Sequence, residues 1–339
     1  MKKIAKITAV LLSSTMLLTS ASLYVNAQEN DNNYVYLGGQ PFGVKFYNDG
    51  VIVVELEEYF DGSHYVCPAK EGGLKVNDVI KKVNGTEIKT NEDLQFAAFN
   101  CEGKTIQMTV ERDGKELNRE ITPLKNTVGV YLLGAWVRDS CAGIGTVTYY
   151  DDNNNYFAAL GHGICDNDTG ALLPLGSAEI VSASISSVTK SIPGKAGSLN
   201  GYFTDESIGN LTKNTSSGVF GTTIDNYYQN DQKIEIADFD EIRTGKAEIY
   251  TTIEDDKTTC YTAEITKICN ASNKSNENFV IKITDEDLLE KCGGIVQGMS
   301  GSPIIQNGKL IGAVTHVFLN TPNEGYGVAA QFMVSNYKE

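Results

Sequence analysis

Histidine is scarce in this chain. There are three in 339 residues, His64, His162 and His316. They are scattered and form no HExxH pair, which excludes the helix-borne zinc site of a metalloprotease. There is no CxxC either. The seven cysteines, at positions 67, 101, 141, 165, 260, 269 and 292, are odd in number and irregularly spaced. Zinc-knuckle and thioredoxin-like readings therefore fail, and the simplest expectation is free, buried thiols rather than a dense disulfide framework. Positive charge is also in short supply, with 28 Lys and Arg against 43 Asp and Glu, a net charge of -15. Phosphate binding needs clustered Lys and Arg, so nucleic acid is excluded as a partner. Broad attraction to an anionic lipid surface is excluded on the same ground. Past the N-terminus no apolar run is long enough to span a bilayer. Internal repeats and low-complexity tracts are missing. What remains is a chain that is 41% hydrophobic, enough to build proper cores, and long enough for two domains once a leader is set aside.

The leader occupies residues 1–27. Lys2, Lys3 and Lys6 make a positive start, and residues 7–18 form a short apolar stretch broken by Ser13, Ser14 and Thr15. Val25-Asn26-Ala27 then has the small-x-small character of a cleavage site. A cleaved signal peptide is expected, with a retained single-pass membrane anchor as the alternative. Both put the rest of the chain outside the cytoplasm.

Residues 34–124 alternate short apolar runs with Gly and Asn. Val44-Lys45-Phe46 and Gly50-Val51-Ile52-Val53-Val54 read as strands. Asn84-Gly85 marks a hairpin, and a helix opens at Asn91-Glu92-Asp93-Leu94 with Asn91 as its cap. The stretch Gly72-Gly73-Leu74-Lys75-Val76-Asn77-Asp78-Val79-Ile80, followed by Val83-Asn84-Gly85, resembles the signature of a PDZ domain, except that Asn77 stands where that family has Gly. Pro41-Phe42-Gly43-Val44 is placed like the family's carboxylate-binding loop. The resemblance implies capture of peptide ends by strand addition, with backbone N–H groups holding the terminal carboxylate. The blander expectation is a small β domain that only packs on its neighbour. The segment from Glu55 to Cys67 is atypical of the family.

Residues 128–335 are β-rich. Strand-like runs such as Gly143-Ile144-Gly145-Thr146-Val147-Thr148-Tyr149 and Phe279-Val280-Ile281-Lys282-Ile283 are separated by polar turns, and helical signal is confined to short pieces such as Asp287-Leu288-Leu289-Glu290. So many strands over such a length suggest a barrel or paired barrels.

The sharpest chemical signal is Gly298-Met299-Ser300-Gly301-Ser302-Pro303. A serine hydroxyl becomes a nucleophile only when a base takes its proton. It also needs donors aimed at the developing oxyanion. Gly298, two residues ahead of Ser300, lets the backbone turn so that the N–H groups of Gly298 and Ser300 converge. Gly301 leaves room for substrate backbone, and Pro303 starts the exit strand. The pattern resembles the nucleophile loop of chymotrypsin-like proteases. Met299 replaces the acid found there, so no activation salt bridge is expected. Alone, the motif is also compatible with a plain Gly/Ser turn between strands.

For the base, Phe157-Ala158-Ala159-Leu160-Gly161-His162-Gly163 presents His162 at the end of an apolar strand among small residues. His64 falls in the atypical PDZ segment and reads as surface. His316, downstream of Ser300 in an apolar strand, is expected to border the cleft in a packing or subsite role. Cys165, close to His162, permits a cysteine-peptidase reading but lacks a Gly-shaped nucleophile loop. An acid to orient the imidazole is open among Asp166, Asp168, Asp205 and Asp285. Asp285 is also well placed as an ordinary helix-start acid.

Taken together, ALGHGICDNDTG and LLEKCGGIVQGMSGSPIIQNGKLIGAVTHVFLNTPNEGYGV are similar to the SpoIVB peptidases, the stage IV sporulation protein B family of endospore-forming bacteria. The resemblance runs from about Tyr36 onward. It implies a mainly β protein, a PDZ-like domain followed by a chymotrypsin-like double β-barrel serine peptidase domain. By motif position it implies His162, Ser300 and Asp285 as catalytic residues, and no cofactor. It further implies export into the space between forespore and mother cell. The substrate it implies there is an inhibitor of a membrane-embedded metalloprotease, whose cleavage would trigger pro-sigma-K processing. Self-cleavage and recognition of peptide ends by the PDZ domain are implied as well. The rival reading is a catalytically inactive scaffold that holds a membrane-protein partner.

Overall fold

The computed structural model describes residues 34–338 apart from 152–154, 225–231, 270, 273 and 274. The expected leader lies outside these residues, as does the middle of the Asp151-Asp152-Asn153-Asn154-Asn155 turn. From Val35 onward the chain forms one compact unit.

The chain is mainly β. Strand β1 (Pro41–Leu56) is 16 residues long, where the sequence suggests two strands. Its first half lies in a barrel and its second half in the PDZ-like sheet. Strand β2 (Val79–Val83) pairs with Val51 and Ile52 of β1. The Asn84-Gly85 turn follows, both residues at positive φ (50° and 80°) as such hairpins demand. Helix α1 (Asn91–Asn100) buries Leu94 and Ala98. Its cap is Thr90, not Asn91: Thr90 Oγ1 accepts from Asp93 N, and Asp93 reaches back to Thr90 N in a capping box. Strands β3 (Ile106–Arg112) and β4 (Lys115–Ile121) complete this sheet, with Ile106, Met108 and Val110 of β3 facing the core on alternate positions.

Asn77 sits at φ 73°, in the left-handed region. That explains why the PDZ pattern prefers Gly there, and why Asn is the substitute that does least harm. The next residue, Asp78, is fully buried. It receives Arg112 Nε at 2.6 Å and Nη2 at 2.7 Å, while Lys75 N donates to it at 2.9 Å. A buried carboxylate is tolerable only when paired and hydrogen-bonded in this way.

Strand β5 (Ala135–Asp151), 17 residues, runs antiparallel to the whole length of β1. Then come β6 (Tyr156–Ala159), β7 (Leu175–Thr189), β8 (Ser198–Thr215) and β9 (Gly218–Thr223). Following the pairings gives β1-β5-β6-β9-β8-β7 and back to β1, a closed ring of strands. Phe42, Phe46, Phe157 and Ile180 fill it. A second ring follows in β10 (Gly245–Thr251), β11 (Thr259–Ile268), β12 (Phe279–Ile283), β13 (Pro303–Gln306), β14 (Lys309–Val317) and β15 (Glu324–Ala329). Here the order is β10-β11-β12-β15-β14-β13 and back to β10. Helix α2 (Glu286–Cys292) joins β12 to the nucleophile loop. Helix α3 (Ala330–Lys338) leaves the second barrel and stacks Tyr337 on Tyr156 of the first, ring centroids 3.9 Å apart. Closing each sheet on itself removes the exposed strand edges that an open sheet would present. The expected double barrel is thus realised.

Two expectations are corrected. Pro41-Phe42-Gly43-Val44 is not a carboxylate-binding loop. All four residues are buried in β1, with Thr146, Gly145, Ile144 and Gly143 of β5 opposite them on one side and, from Phe42 on, Ser182, Val181 and Ile180 of β7 on the other. Their backbone groups already serve a sheet interior. The cysteines are free, but only Cys67, Cys101 and Cys292 are buried; Cys141 is half-buried, and Cys165, Cys260 and Cys269 are exposed. Among the described residues no helix is long and apolar enough to cross a membrane.

The left-handed Asn77 yields a stability prediction. Asn77→Val should lower the unfolding free energy by about 1–2 kcal/mol, the cost of a β-branched residue at positive φ, while Asn77→Gly should be neutral or gain a few tenths. Urea unfolding monitored by circular dichroism would show it. Equal midpoints for Asn77→Val and the parent protein would contradict the assigned backbone.

Candidate active site

The seam between the two barrels opens into a cleft of about 1060 Å³, and both His162 and Ser300 line it. His162 comes from the first barrel. Strand β6 is fully buried, and its exit bends sharply through Leu160 and Gly161, at φ 66° and 68°. Positive φ at a leucine is uncommon, and strain of this kind tends to sit where a side chain must be aimed. The imidazole Nδ1–H donates to the carbonyl of Gly163 at 2.8 Å. That bond fixes the tautomer and leaves the Nε2 lone pair available. Burial, with His316 as a lesser cause acting in the same direction, lowers the pKa of His162 to about 4, even though the Gly163 contact opposes the shift.

Ser300 comes from the second barrel, on the loop between α2 and β13. This loop is tied to β5: Thr146 Oγ1 donates to Gly298 O at 2.7 Å, Thr146 N to Ser300 O at 3.0 Å, and Thr148 Oγ1 to Gly301 O at 2.8 Å. Within the loop the N–H groups of Met299, Gly301 and Ser302 are all used, donating to Val296, Val314 and Met299. Among the described residues, those of Gly298 and Ser300 donate to no protein group, which is the state required of an oxyanion hole. Gly301, at φ 95°, serves a different purpose from the one its sequence context suggests. A Cβ there would lie 2.0 Å from Thr146 O and 2.5 Å from Leu160 N. The space it leaves is taken by the protein's own backbone, next to the turn that carries His162.

The Ser300 hydroxyl donates to the carbonyl of Thr315 at 2.9 Å, and no hydrogen bond joins it to His162. His316 is brought in beside the pair. Its ring stacks on that of His162, centroids 4.9 Å apart at 27°, and Asn276 Nδ2 donates to its Nε2 at 3.2 Å. Burial depresses its pKa too, against the opposing pull of Glu277. His316 borders the cleft, where a packing or subsite role is expected, and its stacking directly on the imidazole is more intimate than the sequence suggests. His64 is exposed, beside Ser63 and Asp61.

Asp285, the acid that the family resemblance implies, is bonded to backbone amides and not to His162. Asp285 caps α2: its Oδ1 accepts from Leu288 N at 3.2 Å, and its Oδ2 from Thr262 N at 3.1 Å. It does not line the cleft. Asp166 is buried and paired with Arg138, and its Oδ1 takes the N–H groups of Asp168 and Thr169. Asp168 also pairs with Arg138, at 2.7 Å. Asp205 belongs to β8. Cys165 lines the cleft, but burial and Asp166 raise its pKa, so it stays a thiol. Among the described residues no group of three His, Cys, Asp or Glu side chains is placed to hold a metal ion.

The strand edge expected to receive a peptide in the PDZ-like sheet is already taken. Residues 135–138 of β5 pair with residues 52–56 of β1, on the side away from β2. Ala135 and Val137 pack on that domain's core, and Asp139 accepts from Asn91 N at the start of α1 (2.9 Å). The chain supplies its own added strand.

A serine on one barrel facing an imidazole on the other, with unused amides beside the serine, defines the class as a double-barrel serine peptidase, here fronted by a PDZ domain. Within that class the chain belongs to the SpoIVB peptidase family S55, whose model matches residues 129–334. A PDZ domain model matches residues 38–122. The probable protease eep of Enterococcus faecalis is 37% identical over 67 residues, covering 20% of this chain and 16% of that protein. The chain spans at most a fifth of the length of the curated relatives it matches. Among solved structures, a PDZ domain of an SdrC-like protein from Listeria monocytogenes aligns with 26% of this chain and 87% of its own (TM-score 0.22, 20% identity). The HtrA-type protease AlgW with a tripeptide aligns with 58% of this chain and 55% of its own (TM-score 0.36, 15% identity).

The position of Asp285 can be tested directly. Asp285→Ala should cost about 1 kcal/mol of stability through the lost cap and leave kcat/KM, per active site, within about threefold. Loss of a true triad acid costs on the order of 10⁴-fold. A loss of that size in a folded Asp285→Ala protein would return the residue to the machinery.

Proposed function

We propose that the chain is an exported serine endopeptidase with Ser300 as nucleophile and His162 as general base. The observation that supports it best is the convergence, in one cleft, of an imidazole with a free Nε2 and a serine flanked by two unused amides. In this mechanism rotation about the Ser300 Cα–Cβ bond releases the hydroxyl from Thr315 O. Its oxygen attacks the substrate carbonyl while its proton passes to His162 Nε2. The oxyanion settles on the N–H groups of Gly298 and Ser300. His162 then protonates the leaving amine, and the acyl group stays on Ser300 as an ester. Water, deprotonated by the same imidazole, releases the acid and restores the hydroxyl. The carbonyl of Gly163 takes the orienting part that a carboxylate plays in a triad.

Family membership supports the wider role: cleavage, in the space between forespore and mother cell, of an inhibitor of an intramembrane metalloprotease, leading to pro-sigma-K processing, with self-cleavage. The PDZ domain supports binding of peptide ends, but at the β1 edge a peptide must displace residues 135–138 first. The rival scaffold reading draws on the Ser300–Thr315 bond, which holds the hydroxyl away from the base.

A fluorophosphonate probe should label the purified protein at Ser300, mapped by mass spectrometry. Ser300→Ala should abolish labelling, substrate cleavage and self-cleavage while leaving peptide binding intact. Cleavage that survives in Ser300→Ala would end the assignment of Ser300 as the nucleophile. The depressed imidazole also sets the pH profile. His162 is active when neutral, so kcat/KM rises as pH passes upward through its pKa. The acid limb should be centred near pH 4 rather than 6.5. A limb centred at or above 6.5 would show that the burial seen here does not govern the working enzyme.

A further inference from the structure

Asp, Glu, Lys and Arg make up 21% of the chain, yet among the described residues none of them lines the cleft. Around Ser300 the apolar part of the wall is Leu199, Ile295, Val296 and Val317. Leu199 is pressed against the oxyanion loop: a Cβ on Gly298 would sit 3.0 Å from its Cβ. At the rim stand Leu172 and Leu319, 45% and 55% exposed, large apolar side chains left in water. Beside the lining residues Cys165 and Asn167, Arg138 is paired with Asp166 and Asp168. Glu277 faces His316 but does not enter the lining. The polar lining groups, such as Ser198, Asn276 and Gln297, are neutral hydrogen-bonders. Beyond the Pro303–Ala313 pair, β14 carries Thr315, His316 and Val317 along the cleft with no partner from β13. An extended chain can lie along such an edge.

We infer that the cleft takes an extended, uncharged and largely apolar stretch of polypeptide and rejects charged side chains next to the scissile bond. A charged side chain entering this lining loses its hydration and meets no opposite charge, which is strongly unfavourable. An aliphatic side chain covers Leu199 and Val317, and a longer substrate covers the exposed rim leucines. This rests on the peptidase reading above and adds the class of substrate to it.

The test uses the full chain, its active sites counted with the fluorophosphonate probe, against fluorogenic peptides of fixed length with one residue varied on the acyl side of the bond. Val, Leu, Ile, Met and Phe should be cleaved with kcat/KM at least tenfold above Lys, Arg, Asp and Glu. Leu319→Glu changes an exposed rim position where folding is not at stake, and it should shift that ratio toward Lys and Arg at least fivefold. Charged residues cleaved as well as aliphatic ones by labelled enzyme would overturn the inference, as would an unchanged ratio in labelled Leu319→Glu. Failure of the probe to label Ser300 would strike the peptidase reading instead.

Discussion

The site depends on one close approach of backbone to backbone. Gly301 lets the nucleophile loop of the second barrel press on Thr146 and Leu160 of the first, with no side chain between. Thr146 and Thr148, both buried, then fasten the loop through three hydrogen bonds. Each such bond contributes only about 1 kcal/mol net. Together they set the register of Ser300 against the turn that aims His162. Closed barrels deform little, so a small shift at this contact is not absorbed locally but moves hydroxyl and imidazole apart. Serine chemistry is sensitive to displacements of that order.

The strand that carries those threonines also closes the PDZ-like sheet. β5 begins at Ala135 on the edge of β1 in that sheet and ends beyond the staple to the serine loop. β1 makes the same journey in the opposite direction. The two domains therefore share a two-stranded ribbon rather than a flexible linker. Register shifts in the pairing lie between Trp136 and Val137 and between Arg138 and Ser140, where the ribbon passes from one domain to the other. Such irregularities bend and twist a ribbon without breaking it. Whatever peels residues 135–138 from β1 therefore pulls on the strand that positions Ser300.

Much of this was readable in the sequence where the signal is local. Small residues around His162 and Ser300 announce tight turns at strand ends, and tight turns are where side chains are presented. Asn84-Gly85 forms its hairpin, and Asn77 betrays its left-handed backbone by standing in for a Gly. Two readings turn on partners that the local sequence pattern does not mark. An acid before a short helix looks the same whether it caps that helix or turns to a histidine, and for Asp285 the amides of Leu288 and Thr262 decide. Pro41-Phe42-Gly43-Val44 carries a loop-like pattern, yet pairing with strands some hundred residues downstream makes it a sheet interior. The stacking of His316 on His162 likewise had no signal beyond an apolar strand containing a histidine.

Among the described residues no carboxylate lines the cleft, which bears on where the charge of the imidazolium would be balanced. A triad acid stabilises the imidazolium before substrate arrives. Here a neutral carbonyl orients His162, a second imidazole lies against it, and among the described residues the lining carries no Asp, Glu, Lys or Arg. The charged form is therefore disfavoured, and the serine proton rests on a hydrogen bond to Thr315. In the proposed mechanism the missing negative charge comes from the reaction itself. When a substrate carbonyl reaches the amides of Gly298 and Ser300, the oxyanion forms in the same cleft as the buried imidazolium. At low effective dielectric their attraction is far stronger than it would be in water. The ion pair then appears only in the transition state, the one point at which its stabilisation lowers the barrier.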